Sequence, residues 1–309
     1  MRIAVIGAGA LGCLFGGRLA ASGHDVWLLH HRQKYVDRLR ADGINLFDDG
    51  DGPLEIDVPV TADAEDVAPV DLALVLVKAH QTSHAMKQHR ACLDERTRIL
   101  TLQNGLRNRD RLMSFVDSNR VLAGVTYEGA MIEAPGDVYH TAAGGSIVGG
   151  PDRTFAEEVA AVFDDAGLGV TVVDDPEPVI WDKQLVSLAV KPFAALTRLP
   201  NDELLKRDDL WWAMSCVLEE AVAVGTARGV DFPHDEPQAA ALERLAKIRK
   251  RADGHRSSML QDVESGRRTE IDEINGAIVS FAEDCSVEVP FNRVLTALVR
   301  GLEYGYSAR

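Results

Sequence analysis

The sequence predicts an α/β chain, a Rossmann-type domain followed by an all-helical domain, on three observations. An apolar run at residues 1–6 opens directly into Gly7-Ala8-Gly9-Ala10-Leu11-Gly12. A second run, residues 70–77, is apolar at almost every position, as a strand buried on both faces must be. Beyond residue 174 strand patterns stop and helical periodicity continues almost without interruption. At 309 residues two domains are expected, at 1–174 and 175–309.

In the first turn, Gly7 permits the bend, Gly9 lets the backbone approach a pyrophosphate, and Gly12 lets the following helix pack on the strand. Leu14, Phe15, Leu19 and Ala20 continue that helix to a stop at Gly23. The loop, Gly7, Ala8, Gly9, Ala10, Leu11 and Gly12, is the candidate dinucleotide site, with helix N-terminal amides facing the phosphates. Residues 25–29 form the next strand, at whose end an acidic residue would mark NAD. The chain has His30, His31, Arg32 and Lys34 there instead, cations suited to a 2′-phosphate, so NADP(H) is inferred. The bland alternative is that Arg32 and Lys34 solvate the helix at 33–40. No metal site is expected at His30-His31, because adjacent strand residues point to opposite faces.

Residues 43–60 read as short strands around a polar turn at 48–52. Lys78 and Gln81 follow the strand at 70–77, a helix is expected at 83–92, and the strand at 98–102 ends in Gln103-Asn104-Gly105. Polar residues ending consecutive strands fall at the edge where open parallel sheets bind ligands. Residues 121–150, which include Ala130, read as strands closing the first domain; a helix at 155–166 and a strand at 170–173 complete it. The acidic, proline-containing segment 174–178 is the linker. Helices are expected at 181–199, 210–228, 238–251, 259–264, 271–284 and 293–304, with Trp211-Trp212 divided between core and interface.

The formal charge of −15 argues against nucleic acid and anionic membrane as partners. Arg249-Lys250-Arg251, with His255 and Arg256, then reads as surface or as a rim attracting an anionic substrate. Four scattered cysteines, an N-terminus that enters a strand at once, and no run of the roughly 18 apolar residues a span needs point to the cytoplasm.

Lys183, Ser187 and Lys191 recur at four-residue spacing and line one helix face. A lysine facing a cofactor could protonate a carbonyl oxygen as hydride reaches the carbon, its pKa lowered by burial or a neighbouring cation. The same spacing also suits a solvated basic face. Ser258-x-x-Gln261 and Thr269-x-x-Asp272 read as capping boxes, the second placing Glu270 at a helix start.

The glycine loop, Lys78-Ala79-His80-Gln81, Gln103-Asn104-Gly105, Trp181-Asp182-Lys183, Ser257-Ser258-Met259-Leu260-Gln261-Asp262 and Thr269-Glu270-Ile271-Asp272 together resemble the ketopantoate reductase (2-dehydropantoate 2-reductase) family. The resemblance spans the chain. It implies NADPH-dependent reduction of a 2-keto acid, as from ketopantoate to pantoate in pantothenate synthesis, in a cleft between a Rossmann and a helical domain. Lys183 would be the general acid, with Glu270 partnering it and the nicotinamide ribose, and Ser258 would donate to substrate. His31 or Arg32, with Gln81, would meet the adenosine phosphate, while Lys78, Asn104 and Ala130 would line the cofactor path. Asparagines common in the family four and eight residues after the lysine are Ser187 and Lys191 here, so these two are the substrate-binding positions that differ. Two other readings stay open: the same hydride chemistry on a dicarboxylic or bulkier carbonyl, and an NADP-binding sensor without turnover. A monomer or homodimer with a small keto acid as partner and no metal is expected.

Overall fold

The structure is a computed structural model that describes residues 1–48, 52–251 and 254–307. It divides into two compact units, Met1–Gln103 with Asn108–Pro176, and Asn104–Arg107 with Glu177–Arg309. The division falls two residues past the expected one, and a four-residue excursion joins the second unit.

In the first unit, β1 (Arg2–Ile6), α1 (Ala10–Ala21), β2 (Asp25–Leu29) and α2 (Gln33–Asp42) lead to β3 (Ile44–Phe47), β4 (Leu54–Ile56) and β5 (Val60–Thr61). Next come β6 (Leu72–Val75), α3 (Thr82–Gln88), β7 (Arg98–Thr101), α4 (Asn108–Met113) and β8 (Val121–Thr126). The unit closes with β9 (Gly129–Ala134), β10 (Asp137–Ala142), β11 (Ser146–Gly149), α5 (Arg153–Asp165) and β12 (Val170–Val173). The main sheet has the order β12-β11-β8-β7-β6-β1-β2-β5. All its pairings are parallel except β8 with β11.

The apolar strands are explained by two cores. Ile3 and Val5 face one, Ala4 and Ile6 the other, and Leu72 and Leu74 divide from Ala73 and Val75 in the same way. Strand order reverses at β1, flanked by β2 and β6, so the glycine loop leaves the sheet at its switch point.

The segment 121–150 departs from expectation. Only β8 and β11 extend the main sheet; the β9–β10 hairpin, turning at Gly136 (φ +95°), instead joins β3 and β4 in a four-stranded sheet ordered β4-β3-β10-β9. Burial explains the choice, since Ile44, Leu46, Ile56 and Val138 complete the core around Phe15 and Leu19 of α1. Residues 49–51 of the expected polar turn lie outside the described residues.

The second unit is helical: α6 (Glu177–Thr197), α7 (Asn201–Leu205), α8 (Asp208–Ala227), α9 (Pro237–Arg251), α10 (Ser258–Glu264), a 3₁₀ turn (Ile271–Glu273), α11 (Asn275–Cys285) and α12 (Pro290–Ser307). The helix expected at 271–284 is broken at Ile274, and α7 is one turn that periodicity does not register. No described helix is long and apolar enough to cross a membrane.

Helix α6 runs through Pro192 without ending. A proline cannot donate to the carbonyl four residues back, which here is Leu188. Asn275 Nδ2 replaces that bond at 3.2 Å, and also donates to Asn292 Oδ1 at 3.0 Å. Asn292 Nδ2 in turn donates to Glu220 Oε2 at 2.7 Å, and Glu220 caps the start of α12 by accepting from the amides of Phe291 and Asn292 at 2.8 and 2.9 Å. Asn275 and Asn292 are fully buried. One polar chain thus ties α6, α8, α11 and α12 together. Asn275→Ala should therefore destabilise the protein by about 1–3 kcal/mol, because the Leu188 carbonyl loses its donor in a dry interior; urea unfolding measures this, and a change below about 0.5 kcal/mol would show the carbonyl to be satisfied otherwise.

Candidate functional site

The glycine loop is specified by sterics. Gly7 sits at φ +111°, and a Cβ there would lie 2.7 Å from the Val77 amide nitrogen. A Cβ on Gly12 would come within 1.9 Å of the Gly7 carbonyl oxygen. Gly9 differs, since a Cβ there would meet nothing within 4 Å. The loop's exposed side is bare backbone beside open space, where a pyrophosphate needs close approach. The amides of Gly7 and Ala8 donate to the Leu29 carbonyl at 3.0 and 3.3 Å, and Cys13 N to Gly9 O at 2.8 Å, so the loop is held from both flanks. Ala10 and Leu11, half-buried, form the first turn of α1, whose leading amides have no intrahelical acceptor. These residues fit a dinucleotide phosphate.

The edge continues past β2. The rings of His30 and His31 stack with centroids 4.7 Å apart, contrary to the expectation that they diverge, because β2 ends at Leu29 and the strand alternation no longer applies. His31 Nε2 accepts from Arg32 Nε at 3.1 Å. Burial, then the neighbouring Arg32 cation, lowers the His31 pKa, so the ring stays neutral and able to accept. Burial pushes His30 down to about 4. Arg32 is exposed, oriented by His31, and no carboxylate stands among residues 30–34. Past β6, Lys78 is half-buried and the exposed Gln81 donates its amide to the Lys78 carbonyl at 2.8 Å. Ala130, on β9, is half-buried against the first core.

In the second unit, Lys183 is the half-buried member of a turn whose other residues, Trp181, Asp182, Gln184 and Leu185, are buried. Asp182 is clamped by both terminal nitrogens of Arg244, which reaches across from α9. The Lys183 ammonium donates to Asn104 Oδ1 at 3.3 Å. Burial first, then the Lys191 cation, pushes its pKa down to about 7, with the Glu270 carboxylate pulling the other way. Asn104, read in the sequence as lining the cofactor path, is thus a partner of the lysine. An amine titrating near neutrality, aimed by an amide, can give up a proton at physiological pH.

Ser187, Lys191 and Ser258 line one pocket of about 200 Å³, with Val186, Val190 and Ile248 as its apolar walls. Asn201 and His255 also line it. His255 appeared in the sequence only within a basic rim, and Asn201 gave no signal because α7 was invisible. The side chain of Arg251, in that same rim, lies outside the described residues.

Both capping boxes are corrected. Ser257, not Ser258, caps α10, its hydroxyl accepting from Leu260 N at 3.3 Å, and both serines line the pocket. Gln261 donates to the Arg256 carbonyl rather than back to the cap. Thr269 Oγ1 accepts from Ile271 N at 3.2 Å, while Asp272 bonds Arg268 and Arg300 instead of closing a box. Glu270 is buried just before the 3₁₀ turn. Among the described residues no cluster of three metal-ligating side chains occurs.

Two family descriptions match the chain: "Ketopantoate reductase PanE/ApbA" over residues 3–153 and its C-terminal counterpart over residues 175–303. A 2-dehydropantoate 2-reductase of Halobacterium salinarum is 34% identical over 97% of this chain and 98% of its own. The crystal structure of a PanE/ApbA family ketopantoate reductase from Ralstonia eutropha JMP134 superposes with a TM-score of 0.90 at 34% identity, covering 99% of this chain and 100% of that one. A D-mandelate dehydrogenase solved with NADH and anilino(oxo)acetate superposes at 0.93 with 25% identity, over 99% and 100% of the two chains.

Depressing the Lys183 pKa has a cost in stability. The unfolded chain holds this proton up to the ordinary lysine range, whereas the folded chain releases it near 7, so stability rises with pH across that interval and the penalty is complete below it. Lys183→Met should accordingly stabilise the fold by about 2–4 kcal/mol near pH 6, with the gain fading toward pH 10. Thermal melts at both pH values test this, and a gain independent of pH would show that the ammonium is not desolvated.

Proposed function

Since the chain belongs to the ketopantoate reductase family, we propose that it reduces the keto group of 2-dehydropantoate, or a close 2-keto acid, to the alcohol with NADPH. The observation that carries the reading is Lys183, an ammonium tuned to neutrality and bonded to Asn104 in the helical unit that holds the pocket of Ser187, Lys191 and Ser258. When bound, the dinucleotide supplies the hydride that adds to the carbonyl carbon. Lys183 Nζ gives its proton to the carbonyl oxygen as charge develops there, and is reprotonated from solvent after release. Asn104 orients the ammonium. Glu270 keeps its pKa from falling further, so a protonated fraction persists at pH 7. The hydroxyls of Ser187 and Ser258 and the Lys191 cation receive the carboxylate and polar substituents, and the Val186, Val190 and Ile248 walls take the apolar body.

The relatives favour neither alternative read from the sequence, a larger or dicarboxylic carbonyl substrate or an idle sensor. The choice of NADPH rests on Arg32, oriented by neutral His31 where an NAD site would present a carboxylate. The four cysteines, all free thiols, suit the cytoplasmic location we assign.

Fluorescence titration should find NADPH bound at least about tenfold tighter than NADH, with Arg32→Ala erasing most of the difference, as loss of one charge-assisted contact implies. Equal affinities in the unaltered chain would reassign the cofactor to NADH, which the D-mandelate dehydrogenase neighbour was solved with.

For the acid, Lys183→Ala should lower kcat for ketopantoate by about 10²- to 10⁴-fold while the NADPH dissociation constant changes less than about threefold. In the unaltered enzyme, the reductive rate should decline as pH rises through about 7, where Lys183 loses its proton. A rate unchanged by Lys183→Ala, or one that climbs through that interval, would pass the role to another group.

A further inference from the structure

Thr269 and Asp272 stand on either side of Glu270, and both are held by α12. Glu303 Oε1 accepts from the Thr269 amide at 2.7 Å and from its hydroxyl at 2.5 Å. One turn earlier on the same helix, Arg300 Nε donates to Asp272 Oδ1 at 2.7 Å, and Arg268 Nη2 donates to the other carboxylate oxygen at 3.0 Å. These holds differ in weight. Arg300 and Arg268 are exposed, where ion pairs contribute little. Thr269 is buried, so the Glu303 carboxylate satisfies an amide and a hydroxyl that solvent scarcely reaches, through charge-assisted bonds.

Glu270 needs an external hold. It opens a 3₁₀ turn of three residues, closed by amide bonds of 3.0 and 3.3 Å from Glu273 to Glu270 and from Ile274 to Ile271, and such bonds have poorer geometry than those of an α-helix. The Glu270 side chain makes no cap bond to that turn. Its carboxylate instead favours the charged form of Lys183, against burial and the Lys191 cation. That influence falls off with distance, so a turn released at Thr269 would forfeit it. We propose that Glu303 is a positioning residue: by fastening Thr269 to α12 it keeps the Glu270 carboxylate facing the Lys183 ammonium.

The hold bears on turnover through the proton-donor role proposed for Lys183, and it acts through Thr269 and Glu270 rather than through the charge of Glu303 itself. The charges that face Lys183 are Lys191 on its own helix and Glu270. Glu303 is faced by Tyr306 on its own helix, whose phenol also meets Arg198 and Asp262. Asp262 is engaged by Arg267 at 3.2 Å. Arg268, Asp272 and Arg300 complete the charged surroundings of the turn. All of these keep their charges when Thr269 or Glu303 is substituted, so a change in the titration of Lys183 reports where the Glu270 carboxylate sits.

The Lys183 Cε resonance of the lysine-labelled full chain, identified by its absence in Lys183→Ala, follows this proton without substrate or cofactor. Its midpoint should lie at about 7 in the unaltered chain. Glu303→Ala and Thr269→Val should each lower it by at least about half a pH unit, and Glu270→Gln should lower it at least as far. Glu303→Gln should leave it within about 0.2 of the original, because the amide oxygen still accepts from Thr269. With NADPH and ketopantoate, kcat of Glu303→Ala should fall about threefold or more near pH 8 and little near pH 6, a split that a general loss of structure would not produce. Where Glu303→Ala does not fold, Thr269→Val decides. A midpoint that Thr269→Val leaves in place would overturn the proposal, and so would one that Glu303→Gln lowers as far as Glu303→Ala, since Glu303 would then act as a distant charge. Midpoints that move as expected while Lys183→Ala leaves the rate unchanged would support the hold and sink the acid role of Lys183.

Discussion

An ammonium drawn out of water within the field of a second ammonium is the constraint around which the helical unit is built. Desolvation and the Lys191 charge both disfavour the protonated form of Lys183, and the Glu270 carboxylate opposes them, which leaves the proton poised near neutrality. Such a balance holds only if the lysine cannot swing into solvent. The residues around it prevent that: Trp181 is buried against Phe232 and Phe281, Asp182 is gripped by Arg244, and Leu185 is inaccessible. A single turn of α6 is thereby anchored on its flanks, with the lysine left as its one partly open side chain.

The same helix resolves a second problem. Pro192 should end or kink α6, and with it disturb Lys191, yet the helix continues to Thr197. Asn275 supplies the missing donor from a different helix, so the geometry of the face that carries Lys183, Ser187 and Lys191 is maintained by packing contributed from α11 and α12. A backbone carbonyl this deeply buried is costly to leave without a donor, which is what the Asn275 amide prevents at Leu188.

What could be read from the sequence was local or periodic. The glycine loop was legible because Gly7 and Gly12 answer steric demands set by their immediate neighbours, and the buried strands because both faces of the sheet meet a core. Lys183, Ser187 and Lys191 were legible as one face of a helix. What escaped depended on distant partners. The pairing of β10 with β3 joins segments some ninety residues apart, and the period-2 pattern that marks a strand says nothing about which sheet it enters. Ser257 and Ser258 are interchangeable as caps on paper; only the bond to Leu260 decides between them. Asn275 gave no signal at all, since its role is defined by a proline far earlier in the chain, Pro192.

Asn104 likewise has a neighbour that its place after a strand does not disclose. The chain leaves the first unit after Gln103, lends Asn104–Arg107 to the second, and returns at Asn108. Within that excursion Asn104 meets Lys183, Leu106 donates its amide to the Glu273 carbonyl at 3.2 Å, and Arg107 lies over the Phe281 ring. The two halves of the gene are therefore not interchangeable parts. A helical half cut away at Glu177 would carry Lys183 without the amide it bonds, and a chimera that exchanged only the nucleotide-binding half would import a foreign four-residue clasp into that lysine's surroundings.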